Sequence, residues 1–100
     1  MPNKKAPDFS AFNLEGKLVS LSDYENKNIY LHFWATWCTP CLIEIPEIID
    51  FARNTNDVVL AVAVNDDIVK IERFFHKIGA TIPSNFIVLL DPEWQISRDL

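Results

Sequence analysis

Asn28-Ile29-Tyr30-Leu31-His32-Phe33-Trp34, running straight into Ala35-Thr36-Trp37-Cys38-Thr39-Pro40-Cys41, decides how this chain is read. The first part, 28–34, is a short apolar run rich in β-formers, as a strand buried on both faces requires. Beyond the second part, Leu42, Ile45, Ile48, Ile49 and Ala52 recur at helical spacing. The pattern predicts a helix from 39 to about 55, kinked by Pro46, which lacks an N–H and crowds the preceding turn. Cys38 and Cys41 are the only cysteines of the chain. Two sulfurs spaced by two residues can close a small disulfide loop, and the first of them falls at a helix N-terminus. Free backbone N–H groups and the helix dipole there favour thiolate over thiol. Cys38 is therefore the candidate attacking sulfur, and Cys41, one turn further on, the candidate resolving sulfur.

A Cys-x-x-Cys pair also occurs in zinc sites, but a structural zinc usually takes four ligands, with a second Cys pair or a His-x-x-x-His partner. Neither is present, and the two histidines, His32 and His76, lie far apart in sequence. No metal and no cofactor are expected. The 100 residues make one domain, 1–100, and 49% hydrophobic residues suffice for a packed core. A net charge of −5 gives no cationic stripe for nucleic acid or an anionic membrane. No run approaches the roughly 20 apolar residues of a membrane span, and Met1-Pro2-Asn3-Lys4-Lys5 lacks the apolar core of a signal peptide. As written the chain carries no signal or anchor, which leaves both a cytoplasmic and an exported home open.

The rest of the chain alternates strands and helices. Residues 6–22 alternate loosely, with Phe9, Phe12, Leu14, Val19 and Leu21 as apolar posts around Glu15-Gly16-Lys17, and predict a β-hairpin leading into Leu21-Ser22-Asp23-Tyr24. Residues 58–64 form a second buried strand, parallel to the first through a right-handed crossover. Asn65 or Asp66 can cap a following helix with Ile68, Ile71, Phe75 and Ile78 on one stripe and Gly79 as its stop. The acidic pair Asp66-Asp67 reads as this helix start and not as a metal site. A third strand is predicted at 86–90, then a turn at 91–93, with the state of 94–100 left open. Trp34, Phe74, Phe75 and Trp94 read as core.

With these residues in view the chain resembles the thioredoxin superfamily, and within it the TlpA/ResA-like thiol-disulfide oxidoreductases, a branch related to the AhpC/TSA proteins. Ala6-Pro7-Asp8-Phe9 with Leu14-Glu15-Gly16-Lys17 and Leu21-Ser22-Asp23-Tyr24 is similar to the branch's N-terminal hairpin (6–24). Phe33-Trp34-Ala35-Thr36-Trp37-Cys38-Thr39-Pro40-Cys41 is similar to its active-site string, and Glu44 and Pro46 fall where the branch often has an acidic residue and a kinking proline. The resemblance implies a thioredoxin-like α/β fold of three α/β/α layers around a mixed sheet, with 28–79 as its strand-helix-strand-helix core. It also implies a protein disulfide reductase cycling Cys38 and Cys41 between dithiol and disulfide, fed by an upstream thiol reductant. Such relatives work outside the cytoplasm, in the periplasm or on the outer membrane face, in cytochrome c maturation and cell redox homeostasis.

Two departures from the superfamily pattern bear on mechanism. Where thioredoxin has a buried aspartate this chain has His32, read first as a neutral, hydrogen-bonded histidine and second as a proton relay. At the C-terminal end, 80–100 fits two registers. Ile82-Pro83-Ser84-Asn85-Phe86 looks like the cis-proline loop that faces the cysteines, whereas Val88-Leu89-Leu90-Asp91-Pro92 with Ile96-Ser97-Arg98 looks like the segment this branch inserts before that loop. The first is preferred because it keeps more of the sheet. On either register the closing helix is missing, so the chain reads as C-terminally truncated, with a dimer or another partner able to cover the bare sheet.

Of the remaining residues, Glu44 either tunes thiol acidity and proton flow or is a plain surface carboxylate. Trp37 covers the disulfide and offers a flat surface for peptide contact. Pro40 restricts the loop and tilts its redox poise. Two other functions compete. A peroxiredoxin-like peroxidase shares the N-terminal hairpin, but its usual Thr-x-x-Cys fits Thr36 and Cys38 poorly. A peptide-binding or partner-completed interaction domain would keep the fold and leave the cysteines inert.

Overall fold

The computed structural model describes residues 9–91. Its elements are β1 (Ser10–Phe12), β2 (Leu18–Ser20), a 3-10 turn (Leu21–Tyr24), β3 (Ile29–Trp34), α1 (Thr39–Arg53), β4 (Val58–Val64), α2 (Ile68–Ile78) and β5 (Phe86–Asp91). Ala6 to Asp8 of the expected hairpin, the 91–93 turn beyond Asp91, Trp94 and the rest of 94–100 lie outside the described residues.

β1 and β2 pair antiparallel, Phe12 opposite Leu18. The Asn13 side chain sets the loop between them by accepting the N–H groups of Glu15 and Lys17 at 3.0 and 2.9 Å. Gly16 there takes φ 80°, which a Cβ would strain. The larger sheet, in the order β3-β4-β5, is parallel throughout. Every residue of β4 is buried. Its Val-Val-Leu-Ala-Val-Ala-Val sequence lacks polar alternation because both faces are covered.

The two faces differ in what covers them. Val59, Ala61 and Ala63 pack with Trp34 and with Ile45, Ile49 and Ala52 of α1 and Ile71 of α2. Val58, Leu60 and Val62 pack with Ala11 and Leu89, joined by Val19, Leu21 and Tyr24 of the hairpin and turn. Both described helices therefore share one face. The strand order explains this: the two crossovers step in the same direction across the sheet, and right-handed connections taken the same way place their helices on the same side. Along the outer edge of β5 an antiparallel bridge between Asn13 and Leu89 joins the hairpin to the sheet.

α1 begins with Cys38 as N-cap and carries Pro40 in its first turn, where a missing N–H leaves no bond unmade. Pro46 lies inside the helix and cannot donate to the Leu42 carbonyl. α2 ends as expected at Gly79, whose φ of 64° lets its N–H reach the Phe75 and His76 carbonyls, both at 3.2 Å. Its start differs from expectation. The cap is Asp67, which accepts the Lys70 N–H at 2.9 Å, and not Asn65 or Asp66. Asn65 instead bends into the left-handed region at φ 47°, which asparagine tolerates better than most residues, and Asp66 is turned toward β3. No helix among the described residues is long and apolar enough to cross a membrane.

The preferred register for Pro83 is corrected by the sheet. β5 runs parallel to β4 with Phe86 opposite Val59, so Pro83 sits at the amino ends of the strands, while Cys38 follows their carboxyl ends. Its neighbour Asn85 donates to the carbonyls of Ala52, Thr55 and Asp57 at 2.7, 3.1 and 2.8 Å, beside the far end of α1. With a rise of about 1.5 Å per helical residue, that end lies roughly 20 Å from the first turn. No peptide bond of the described residues is cis.

Asp67→Ala is expected to lower the unfolding free energy by about 1 kcal/mol through loss of the cap. Asn65→Gly, which suits a positive φ without a Cβ, is expected to leave it unchanged or raise it. Chemical denaturation of the two variants checks both.

Candidate redox-active site

The carboxyl ends of β3 and β4 lie side by side, with Trp34 opposite Ala63, so the loops leaving them meet. In parallel α/β sheets this end is where ligands and chemistry gather. After β3 the buried Ala35 opens a tight turn: the Cys38 N–H donates to the Ala35 carbonyl at 3.2 Å, with Thr36 and Trp37 at its centre. Cys38 is extended, at φ −105° and ψ 98°, and its carbonyl accepts the first helical bond from Leu42 at 3.2 Å.

A disulfide joins Cys38 to Cys41 across 5.3 Å between Cα atoms. Pro40 has no N–H to offer, so the N–H groups of Thr39 and Cys41 are those left to face an anion on Cys38. The first turn holds no acidic residue. Once the bond is reduced, this environment favours the thiolate on Cys38. Cys41 packs against the core cluster on the helical face. Trp37 is 55% exposed beside the pair. Its indole N–H donates to the Asn65 carbonyl at 3.1 Å and, more weakly, to that of Val64 at 3.3 Å.

His32 and Glu44 meet one helical turn beyond Cys41, where the exposed Glu44 side chain brings Oε1 to 4.0 Å from His32 Nε2. Nε2 is buried and has no hydrogen-bond partner, so the hydrogen-bonded reading of His32 fails at this atom. Burial pushes the imidazole below its ordinary value, and the Glu44 carboxylate opposes that shift only in part. At neutral pH the ring is therefore uncharged. Trp34, two residues along the same face, is fully core, between Phe74 and Phe75 at 5.7 and 5.6 Å.

The structure thus gathers Cys38, Cys41, Trp37 and Pro40 at one corner, places His32 and Glu44 together one helical turn further along α1, and leaves Pro83 at the opposite end. It also adds residues that the sequence reading left as a helix start or passed over. The Asp66 carboxylate accepts the Thr36 N–H at 2.6 Å through Oδ2 and the Thr36 hydroxyl at 2.8 Å through Oδ1. Oδ1 also accepts the Asp67 N–H at 2.9 Å. The signal that points to Asp66 is its place just after a parallel strand adjoining the one that leads to the cysteines. Among the described residues no three His, Cys, Asp or Glu side chains gather to hold a metal.

Residues 2–100 match the AhpC/TSA family. The thiol-disulfide oxidoreductase ResA of Geobacillus thermodenitrificans (strain NG80-2) is 35% identical over 94 residues, which are 91% of this chain and 52% of that protein. The chain therefore spans about half the length of the curated relatives it matches. Among solved structures, the pneumococcal exposed lipoprotein thioredoxin from Streptococcus pneumoniae has a TM-score of 0.72 at 31% identity, covering 92% of this chain and 71% of that one. A secreted Mycobacterium tuberculosis disulfide oxidoreductase, homologous to the E. coli protein DsbE, has a TM-score of 0.77 at 25% identity, covering 91% and 66%. Backbone, sequence and the placing of the cysteine pair agree: the chain belongs to the AhpC/TSA family of the thioredoxin superfamily, in its ResA-like branch.

Proposed function

We propose that this chain is a thiol-disulfide oxidoreductase that reduces protein disulfides. The observation that carries this reading is the bonded pair itself, with Cys38 as the N-cap of α1 and Cys41 in the helix's first turn. In the reduced protein the Cys38 thiolate attacks one sulfur of a substrate disulfide. A bond forms between Cys38 and that sulfur, the substrate bond breaks, and its other sulfur leaves as a thiolate that takes up a proton. Cys41, giving up its proton, attacks Cys38 Sγ and releases the second substrate thiol. Two electrons have passed to the substrate, and Cys38–Cys41 is the disulfide again, to be reset by an upstream dithiol.

Cys41 needs somewhere to send its proton. Glu44 follows it by three residues, a spacing that puts two side chains on one side of a helix, and His32 stands 4.0 Å from Glu44. The part-buried neutral imidazole and the exposed Glu44 carboxylate beside it are both proton acceptors, so His32 and Glu44 are read as the route by which this proton reaches solvent. Trp37 screens the pair and offers its exposed ring to a bound peptide. The parallel course of β5 supports reading 80–91 as the segment that the ResA-like branch inserts. Relatives described as secreted and as an exposed lipoprotein support an extracytoplasmic workplace. The peroxidase alternative is weakened by Thr36, whose hydroxyl is committed to Asp66.

Equilibration in dithiothreitol or glutathione buffers, with free thiols counted, is expected to show one cooperative two-electron transition nearer to about −270 mV than to about −120 mV. The higher value would make the protein an oxidant, and no transition at all would leave the interaction-domain reading. Cys41→Ser is expected to trap a mixed disulfide with a peptide substrate on Cys38, whereas Cys38→Ser forms none; mass spectrometry reads both.

The His32 shift gives a pH test. Its folded value lies below the unfolded value of about 6.5, so the unfolded chain binds the proton first and stability is lost as pH falls through that value toward the lower one. His32→Asn is expected to remove this part of the acid loss and to change the pH profile of disulfide exchange. An unchanged exchange profile would remove His32 from the proton route.

A further inference from the structure

Thr36 and Trp37 are the two central residues of the turn that presents Cys38, and both are tied to the same short stretch after β4. The Thr36 N–H and hydroxyl go to the Asp66 carboxylate at 2.6 and 2.8 Å, and the Trp37 indole goes to the Asn65 and Val64 carbonyls at 3.1 and 3.3 Å. Asp66 is itself steadied by the Asp67 N–H at 2.9 Å, next to the cap of α2. The stretch is anchored from the third strand as well, since the Asn65 N–H donates to the Asp91 carbonyl at 2.9 Å. The turn that leads from β3 into α1 is thus held to β4, β5 and α2 as well, through one side-chain carboxylate and two backbone carbonyls. Nothing in the bonding of the disulfide requires this arrangement.

We propose that Asp66 is a positioning residue for the redox reaction: by holding the Thr36 amide and hydroxyl it keeps the Cys38 sulfur over the N-terminus of α1 when the disulfide is open. While Cys38–Cys41 is closed, the covalent bond does this. On reduction the Leu42 N–H still fixes the Cys38 carbonyl at the helix start, but the approach of the chain to that point is set by the turn, and the sulfur keeps its access to the Thr39 and Cys41 N–H groups best if the turn does not drift. The proposal rests on the reading of Cys38 as the attacking thiolate and assigns the residue that maintains it.

Position and charge predict opposite signs. If Asp66 acted chiefly by its negative charge, removing it would make the Cys38 thiolate easier to form. If it acts by holding the turn, removing it loosens the sulfur from the helix N-terminus and makes the thiolate harder to form.

The test is the pH dependence of Cys38 alkylation by iodoacetamide in the reduced 100-residue chain, with the reduction potential and the melting temperature of both redox states measured alongside. Asp66→Ala is expected to raise the alkylation midpoint by about one pH unit, and so to slow alkylation at neutral pH about tenfold. Thr36→Val keeps the charge and the backbone bond and loses only the hydroxyl bond, so a smaller shift of the same sign is expected. It decides the matter if Asp66→Ala does not fold. Asp66→Asn, which retains an acceptor oxygen, is expected to fall between wild type and Asp66→Ala. Midpoints that fall in the Asp66 variants would overturn the proposal in favour of a charge effect. Unchanged midpoints and potential with melting lowered equally in both redox states would overturn it in favour of simple loop stability. A wild-type protein without a fast-reacting Cys38 would sink the oxidoreductase reading itself, an outcome distinct from inert variants of a reactive wild type.

Discussion

Burial of β4 on both faces is the constraint from which the rest follows. Seven consecutive apolar residues with no polar alternation cannot face water on either side. The chain meets this with α1 and α2 on one face, the hairpin and 3-10 turn on the other, and β3 and β5 along the two edges. Because the three strands are parallel, their carboxyl ends share one rim of the sheet. At that rim the backbone leaves the ladder and its polar groups need new partners. Asp66, Asn65, Thr36 and Trp37 supply them to one another, and the cysteine pair rides on the loop they hold together.

The start of α1 and the candidate redox site are a single structural feature. Cys38 ends the turn after β3 and caps the helix, so the N–H groups that the helix leaves unpaired are the ones available to a sulfur anion. Magnitudes show why placement matters. A charge at an exposed helix N-terminus gains about 0.3–1 kcal/mol, and up to about 2 in partly buried geometry. One unit of thiol acidity corresponds to about 1.4 kcal/mol. The helix end can thus shift the thiolate equilibrium by about a unit, but the interaction fades within the first turn. A small displacement of the sulfur forfeits much of it, and Pro40, by removing one donor, leaves less to compensate.

The helical face of β3 carries two side chains of contrasting kind. Trp34 is enclosed by Phe74 and Phe75 and serves packing, and its indole N–H remains unpartnered within that cluster. His32 also has an unpartnered buried nitrogen, but it stands near the Glu44 carboxylate and on the α1 side that carries Cys41. Leaving a buried polar group unpaired costs about 1–3 kcal/mol. An apolar residue at position 32 would avoid that cost, which is a reason to seek the use of His32 in proton handling.

The sequence by itself determined what depends on a few neighbouring residues. The unbroken apolar run at 58–64 called for a strand buried on both faces, the helical recurrence after Pro40 called for α1, and Gly79 ended α2 because a left-handed residue closes a helix. The cysteine spacing, with the helix that follows, singled out Cys38 and Cys41 as the candidate pair, and the structure joins them in a disulfide. Only the tertiary structure decided matters that depend on which strands become neighbours. Asp67 rather than Asp66 caps α2, because Asp66 has a competing partner thirty residues earlier. Pro83 lies away from the cysteines because β5 docks parallel to β4, so its entry is at the other end of the sheet. Local periodicity and backbone preference are written in adjacent residues, whereas crossover direction and strand register arise from packing the whole chain around β4, and they settle which distant side chains share a corner.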